Sequence, residues 1–163
     1  MSTSVFRPDP KTDLVLERVI DVPPETVWTA WTTPAHICNW FTPAPWSTAE
    51  CEIDLRPGGV FKTVLQSPEG ERFTHDGCYL EVVPHRRLVW TDSLLPGFRP
   101  APKPFVPFFI TAVITFTPEG RGTRYNATVL HAGEADAKKH LDMGFFDGWG
   151  KTTDNLIELV KNL

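Results

Sequence analysis

The sequence EADAKKHLDMGFFDGWGKTTDNLIELVKNL, residues 134–163, has the apolar period of an α-helix. At 100° per residue one stripe of such a helix collects seven side chains: Leu141, Phe145, Trp149, Thr152, Leu156, Leu159 and Leu163. Asp136 in the first turn and Lys161 in the last turn both favour the helix dipole. The pattern predicts one long helix over roughly residues 134–162, with a stripe that the rest of the chain must cover.

The residues before this helix have the period of β-strands. The turn sequences SPEGE, PHRR and PEGRG separate most of the apolar runs, and short turns make neighbouring strands antiparallel. Gly58 and Gly59 are expected to supply the positive φ of a hairpin turn. The sequence therefore predicts an antiparallel meander, with strands over residues 14–20, 51–55, 60–66, 73–83, 87–92, 110–117 and 123–131.

Two short helices are expected directly after the first strand. The prolines of Asp21-Val22-Pro23-Pro24-Glu25 open the first helix, and Thr33 is placed to cap the second, with Pro34 at its first position. The predicted fold class is α+β, a curved antiparallel sheet wrapped around the C-terminal helix. Residues 1–12 are predicted to form a flexible arm and residues 13–163 a single domain.

The composition excludes several classes of protein. The 163 residues carry a net charge of −4 without a basic run, which argues against a nucleic-acid partner. No apolar run approaches the roughly 18 residues of a membrane span, and the N-terminus lacks the order of a signal peptide. Cys38, Cys51 and Cys78 show no CxxC spacing and are expected to be reduced, mostly buried thiols. We expect a cytoplasmic protein that is a monomer or a homodimer.

Gly144 and Gly148 lie four residues apart on the stripe of the C-terminal helix. Each glycine costs a helix about 1 kcal/mol relative to alanine. Either the helix packs closely on the sheet, or its face is kept small beside a void. Large aromatic side chains favour the void. The residues expected to line it and bind a ligand are Trp40, Phe61, Trp90, Tyr125, Phe145, Gly148 and Trp149.

The segment SLLPGFRPAPKPFVPFF, residues 93–109, is rich in proline. Prolines at alternate positions oppose both a helix and strand pairing, so the segment is predicted to be a long, stiff connection. Its phenylalanines argue against disorder. We interpret it as a lid over the cavity, with edge packing as the alternative, and name Pro96, Phe98, Phe105 and Phe108 as lid residues.

The candidate catalytic residues are His75, Tyr125 and His131. Strand alternation over residues 125–131 turns Tyr125 and His131 inward. His75 lies in mid-strand beside Asp76, where Gly77 suggests a bulge that leaves the direction of the ring open.

A metal site is not expected. His131, Glu134, Asp136 and His140 are close in sequence, but helical rotation should spread them apart. The chain also has no HExxH motif and no cysteine cluster. We expect neither a metal nor a cofactor.

Three motifs identify a family resemblance. RVIDVPPETVWTAWTTP near the start, DLRPGGVF in the middle and MGFFDGWG near the end resemble the family of activator of heat-shock protein 90 ATPase homologue-like proteins. That family is a branch of the START-like superfamily, also called SRPBCC, which overlaps with polyketide cyclases. The resemblance covers about residues 13–163 and implies a helix-grip fold with a deep cavity between the sheet and the long helix.

The resemblance implies a hydrophobic small molecule as the partner and transfers no catalytic residue. The leading hypothesis is a module that binds an apolar or aromatic molecule. The alternatives are a cyclase, dehydratase or hydrolase that acts on such a molecule, and a stress-related protein-interaction domain. Two or more polar groups converging in the cavity would favour the enzyme. Because few residues precede the first strand, we expect no stimulation of the chaperone's ATPase.

Overall fold

The computed structural model describes residues 6–163. The strands are β1 (Asp13–Ile20), β2 (Ser47–Ile53), β3 (Val60–Gln66), β4 (Arg72–Val83), β5 (Arg87–Thr91), β6 (Leu94–Leu95), β7 (Arg99–Pro100), β8 (Thr111–Glu119) and β9 (Gly122–Leu130). The helices are α1 (Pro24–Thr32), α2 (Pro34–Trp40), α3 (Glu134–Asp142) and α4 (Phe145–Val160). None of the helices in this range has the length and apolar composition needed to cross a membrane.

Seven strands form one antiparallel sheet in the order β1-β9-β8-β5-β4-β3-β2. From β2 to β9 the neighbours follow the chain, apart from the small β6–β7 hairpin, and β1 closes the edge by pairing with β9. The sheet, the two short helices after β1 and the C-terminal helix confirm the predicted α+β helix-grip architecture.

The turn between β2 and β3 is tight for two different reasons. Gly58 has φ +82°, a conformation that glycine adopts at little cost. Gly59 does not have a positive φ, contrary to expectation. A Cβ at Gly59 would instead collide with the carbonyl oxygen of Asp54. The predicted strand ending at Leu55 is also shifted, because β2 runs from Ser47 to Ile53 and leaves Leu55 38% exposed.

The prolines that open α1 and α2 lie where the sequence places them. Pro24 and Pro34 are the first residues of their helices, where a missing N–H costs no intrahelical bond. Thr33 does occupy the N-cap of α2, but its side chain makes no capping hydrogen bond.

The predicted C-terminal helix is broken at Gly144. Gly144 has φ +93° and is the N-cap of α4, so α3 and α4 are separate helices. The stripe consequently shortens: Leu141 on α3 is 45% exposed and Leu163 beyond α4 is 55% exposed. Phe145 and Leu156 remain buried on the inner face of α4.

The backbone of helix α4 lies closest to β1, α1, α2 and α3. The aromatic core lies under the two short helices. There the Trp31 indole donates to the Tyr125 hydroxyl oxygen at 3.1 Å, and the Trp31 and Trp40 rings meet edge to face at 4.8 Å. A cavity separates α4 from the strands in the middle of the sheet.

The predicted N-terminal arm falls partly outside the described residues, which exclude 1–5. Within the described part the chain turns at Asp9, whose carbonyl accepts the Asp13 N–H at 2.8 Å. The Thr12 carbonyl accepts the His131 N–H at 3.1 Å. The flexibility of residues 1–12 as a whole stays a prediction.

Candidate functional site

A cavity of about 270 Å³ lies between the sheet, α4 and the segment that precedes β8. Its wall is mostly aromatic and aliphatic and is drawn from residues between Trp31 and Thr153. The lining residues are Trp31, Trp40, Phe41, Pro43, Leu65, His75, Trp90, Asp92, Phe105, Val106, Phe108, Ile110, Tyr125, His140, Met143, Gly148, Trp149, Thr152 and Thr153.

Five of the seven residues predicted to bind a ligand are in this wall: Trp40, Trp90, Tyr125, Gly148 and Trp149. The other two are buried elsewhere. Phe61 lies behind the wall, 5.0 Å from the Trp90 ring, and Phe145 stacks on Trp149 at 5.5 Å. Phe61 and Phe145 therefore support the wall without facing the cavity. Ligand binding by the other five residues stays a prediction.

Gly148 borders empty space. A Cβ built on Gly148 has no atom within 4 Å, and the residue has no positive φ that would itself require glycine. Close packing of helix on sheet therefore does not explain this glycine. The other glycine of the pair, Gly144, has a different role because it ends α3 and starts α4 with a left-handed residue.

The proline-rich segment divides into two parts. Its first half folds into the β6–β7 hairpin, in which Leu94 pairs with Pro100, although the prolines were expected to prevent strand pairing. The pairing is possible because the ladder is only two residues long and because proline, which lacks an N–H, still has a carbonyl that can accept a hydrogen bond. Phe98 packs over Gly58, and the Gly97 N–H donates to the Gly58 carbonyl at 2.8 Å.

Only the second half of the segment reaches the cavity. Phe105 and Phe108 line it, whereas Pro96 and Phe98 lie with the hairpin, away from it. Phe108 is 2% exposed and Phe105 is 40% exposed. A covering role for the region of Phe105 stays a prediction.

His75 enters the cavity wall paired with a carboxylate. Its Nε2 lies 3.1 Å from Oδ2 of Asp92, whose side chain is 3% exposed. The other oxygen, Oδ1, accepts the Ile110 N–H at 2.8 Å. The imidazole also lies against the Phe105 ring at 4.7 Å. A buried carboxylate that holds an imidazole in one orientation is an arrangement suited to general-base chemistry.

His131 is not in the wall but contacts a residue that is. Its Nε2 lies 2.9 Å from Nδ1 of His140, which does line the cavity, and its Nδ1 lies 2.8 Å from the Thr12 carbonyl oxygen. The expectation that helical rotation would separate His131 and His140 is wrong, because α3 folds back beside the end of β9. Burial, and then the neighbouring His131, lower the pKa of His140 to about 4.

Tyr125 has its hydroxyl group already engaged. Because an indole N–H only donates, the hydroxyl oxygen accepts from Trp31 and its hydrogen remains available. Burial raises the pKa of Tyr125, so the hydroxyl stays protonated at neutral pH. Trp90 Nε1, close by in the same wall, is a buried donor without a hydrogen-bond partner in residues 6–163.

Asp92 and His140 are the titratable residues of the cavity wall that the sequence analysis did not propose as site residues, although His140 was considered for a metal site. Asp92 stands one residue beyond β5, where an acidic residue at a strand end is commonly exposed. His140 is the third residue from the end of α3, a helix of low hydrophobicity. Their burial follows from tertiary packing, and no local pattern in the sequence indicates it.

The polar groups of the cavity do not form a metal site of the usual kind. Within residues 6–163, no group of three or more His, Cys, Asp or Glu side chains is arranged to hold a metal ion. All three cysteines are free thiols, and only Cys78 is fully buried. Burial raises the pKa of Cys51 to about 12, which makes this thiol a poor nucleophile.

Solved structures share this fold over nearly the whole chain. A protein from Nitrosomonas europaea is 46% identical, with a TM-score of 0.88 over 94% of this chain and 97% of that chain. A protein from Chromobacterium violaceum is 25% identical, with a TM-score of 0.70 over 91% and 96%. An AHSA1-like protein from Aeromonas hydrophila is 22% identical, with a TM-score of 0.70 over 92% of each chain, and shows the fold alone.

No curated protein matches this sequence. The family model described as Activator of Hsp90 ATPase homolog 1-like protein matches residues 21–161, which include all four helices and every strand of the sheet except β1. With that match and the relative from Nitrosomonas europaea, the chain belongs to the Activator of Hsp90 ATPase homolog 1-like family.

Proposed function

We propose that the chain binds an apolar or aromatic small molecule in the cavity between the sheet and α4. The observation that carries the proposal is the void of about 270 Å³ beside Gly148, with aromatic walls. A cavity of about 150 Å³ lined by apolar side chains holds benzene. The present cavity therefore suits a ligand of about two fused rings.

Titration with the uncharged dye N-phenyl-1-naphthylamine tests this proposal. We expect saturable binding of one dye per chain, with an increase in dye fluorescence. Gly148→Leu places a branched side chain in the void and should weaken binding by at least about tenfold, equivalent to about 1.4 kcal/mol. Lys151→Leu adds the same side chain to an exposed position of α4 and serves as the matched control.

Two results would overturn the binding proposal. One is the absence of saturable binding by a wild-type protein that unfolds cooperatively. The other is equal loss of affinity in Gly148→Leu and Lys151→Leu, because the loss would then not come from filling the cavity.

A second candidate function is an enzyme that acts on such a molecule, and the His75–Asp92 pair favours it. His75 and His140 are two polar groups in an otherwise mostly apolar wall. With Asp92 at Nε2, the imidazole of His75 could take a proton from a water molecule, which suits the hydrolase in this class of reactions.

Hydrolysis of 2-naphthyl acetate above the buffer rate tests this second candidate. His75→Phe should remove most of the rate enhancement, which for a general base is about 10²-fold or more. Asp92→Asn should lower the rate while leaving dye affinity close to the wild-type value. If the wild-type rate equals the buffer rate, or if His75→Phe hydrolyses the ester as fast as the wild type, the hydrolase candidate is rejected.

A further inference from the structure

A chain of hydrogen bonds runs from the backbone of the N-terminal turn to the cavity. The Thr12 carbonyl oxygen lies 2.8 Å from His131 Nδ1, and His131 Nε2 lies 2.9 Å from His140 Nδ1. Within the described part of the chain, the bond to His131 is the one hydrogen bond of the His140 ring, so its Nε2 has no protein partner. His140 itself is part of the cavity wall.

The direction of each hydrogen bond follows from the Thr12 carbonyl. A carbonyl oxygen only accepts, so the hydrogen of this bond is on His131 Nδ1. When both imidazoles are neutral each has one N–H, so His131 Nε2 accepts and His140 Nδ1 donates. A neutral His140 then has no hydrogen on Nε2. A ring that lines the cavity consequently carries an acceptor at Nε2.

The surroundings of His140 keep it neutral and fixed. Its ring lies between the rings of Phe108, at 4.8 Å, and Phe145, at 5.0 Å. Burial lowers its pKa to about 4, so it carries no charge at neutral pH. The bond to His131 also opposes a flip of the ring, because a flip would exchange Nδ1 for a carbon atom.

We propose that the ligand of this cavity is an aromatic or apolar ring system that carries a hydroxyl group, which donates a hydrogen bond to His140 Nε2. The inference rests on the proposed binding function and adds the chemical class of the ligand. A hydroxyl group satisfies the acceptor at His140. A ketone or ether at the same position would bring two lone pairs together and leave both unpaired.

A pair of ligands of the same shape tests the inference. In 2-naphthol a hydroxyl group takes the place of the methyl group of 2-methylnaphthalene. Both are titrated at pH 7.5 as competitors of N-phenyl-1-naphthylamine, and the quantity compared is the ratio of their dissociation constants. In the wild type the ratio should favour 2-naphthol, and in His140→Phe that preference should fall by about 3- to 10-fold.

Two further variants separate hydrogen bonding from shape. His140→Gln can donate to His131 through its amide nitrogen and present its amide oxygen, so it should recover part of the preference. His36→Phe changes a histidine outside the cavity wall and should leave the preference at the wild-type value. Cooperative thermal unfolding of each variant confirms that it is folded.

The outcomes distinguish this inference from the proposed function. If the dye itself shows no saturable binding, the binding function fails; if the dye binds and 2-naphthol does not displace it, the inference alone is rejected. If both displace it and the ratio is the same in the wild type and His140→Phe, the ligand binds but His140 does not select a hydroxyl group, and the inference is rejected. A loss of preference in His140→Phe that His140→Gln does not recover would also reject it, because filling or repacking the site would then explain the loss.

Discussion

Replacing Gly148 by alanine is expected to stabilise the protein. Gly148 is the fourth residue of α4, and its N–H already donates to the Gly144 carbonyl at 2.8 Å. A methyl group there meets no atom within 4 Å, so no overpacking cost applies. The gain is the difference in helix propensity, about 0.5–1 kcal/mol. For a chain of this length, that corresponds to an increase in Tm of about 1–4 °C.

Gly150→Ala is the matched control for this substitution. Gly150 lies two residues further along α4, and a Cβ there would contact the Arg18 guanidinium at an ordinary 3.5 Å. It should therefore gain a similar stability from helix propensity. Only Gly148→Ala adds an atom to the cavity, so only this variant should alter the affinity for N-phenyl-1-naphthylamine.

Thermal unfolding followed by circular dichroism, together with dye titration, measures both quantities. A lower Tm for Gly148→Ala with unchanged dye affinity would refute the reasoning, because it would show that Gly148 is required for contact and that no binding cavity lies beside it. The same conclusion would follow if Gly150→Ala raised the Tm and Gly148→Ala did not.

Three further predictions concern other parts of the molecule. Gly59→Ala should lower the free energy of unfolding by about 3 kcal/mol or more in denaturant titrations, because its Cβ would collide with backbone; a loss below about 1 kcal/mol would contradict this. The pKa of His140 falls from 6.5 to about 4 on folding, so the unfolded chain binds more protons and stability should decrease as the pH falls from 6.5 to 4. The decrease in stability should be smaller in His140→Phe. If the stability of the wild type and of His140→Phe falls equally over this pH range, the prediction is contradicted. Finally, the Lys103, Phe105 and Val106 amides donate no hydrogen bond within the described structure and should exchange fast in the free protein and more slowly with bound dye. Protection equal to that of β5 in both states would exclude movement of this segment.

The sheet could be predicted from the sequence because its signals are local. Turn sequences fix where strands end, and β3 runs over Val60–Gln66 as predicted. Alternation also gave the buried face of β9, where Tyr125 and Val129 are almost fully buried. The first residues of β2 were missed because the register shifts between Thr48 and Glu50, which interrupts the alternation there.

The sequence contains a signal for the break in the C-terminal helix, but the apolar period of residues 134–163 conceals it. Lys139 and His140 in the last turn of α3, followed by Gly144, are typical of a helix C-terminus. The stripe from Leu141 to Leu163 nevertheless fits one continuous helix, since residues three and four apart stay aligned across the break. Whether Gly144 adopts φ +93° depends on packing, which the period does not describe.

The polar pairs of the cavity could not be predicted. His75 and Asp92 are 17 residues apart, and their contact depends on how β4 and the end of β5 are placed in the sheet. His131 and His140 meet because α3 turns back at Gly133. Such contacts depend on tertiary structure, and they decide which chemistry the cavity can support.

The aromatic wall also gives this protein an optical reporter of its own. Four of its six tryptophans line the cavity: Trp31, Trp40, Trp90 and Trp149. Most of the indole rings of the native protein therefore lie within contact distance of a molecule that fills the cavity. A ligand with no absorbance above 300 nm should shift the indole emission by displacing water from the rings, and one that absorbs there should quench it by energy transfer. Extracts of the producing cell can thus be fractionated and tested for the natural ligand without a label or a competing dye.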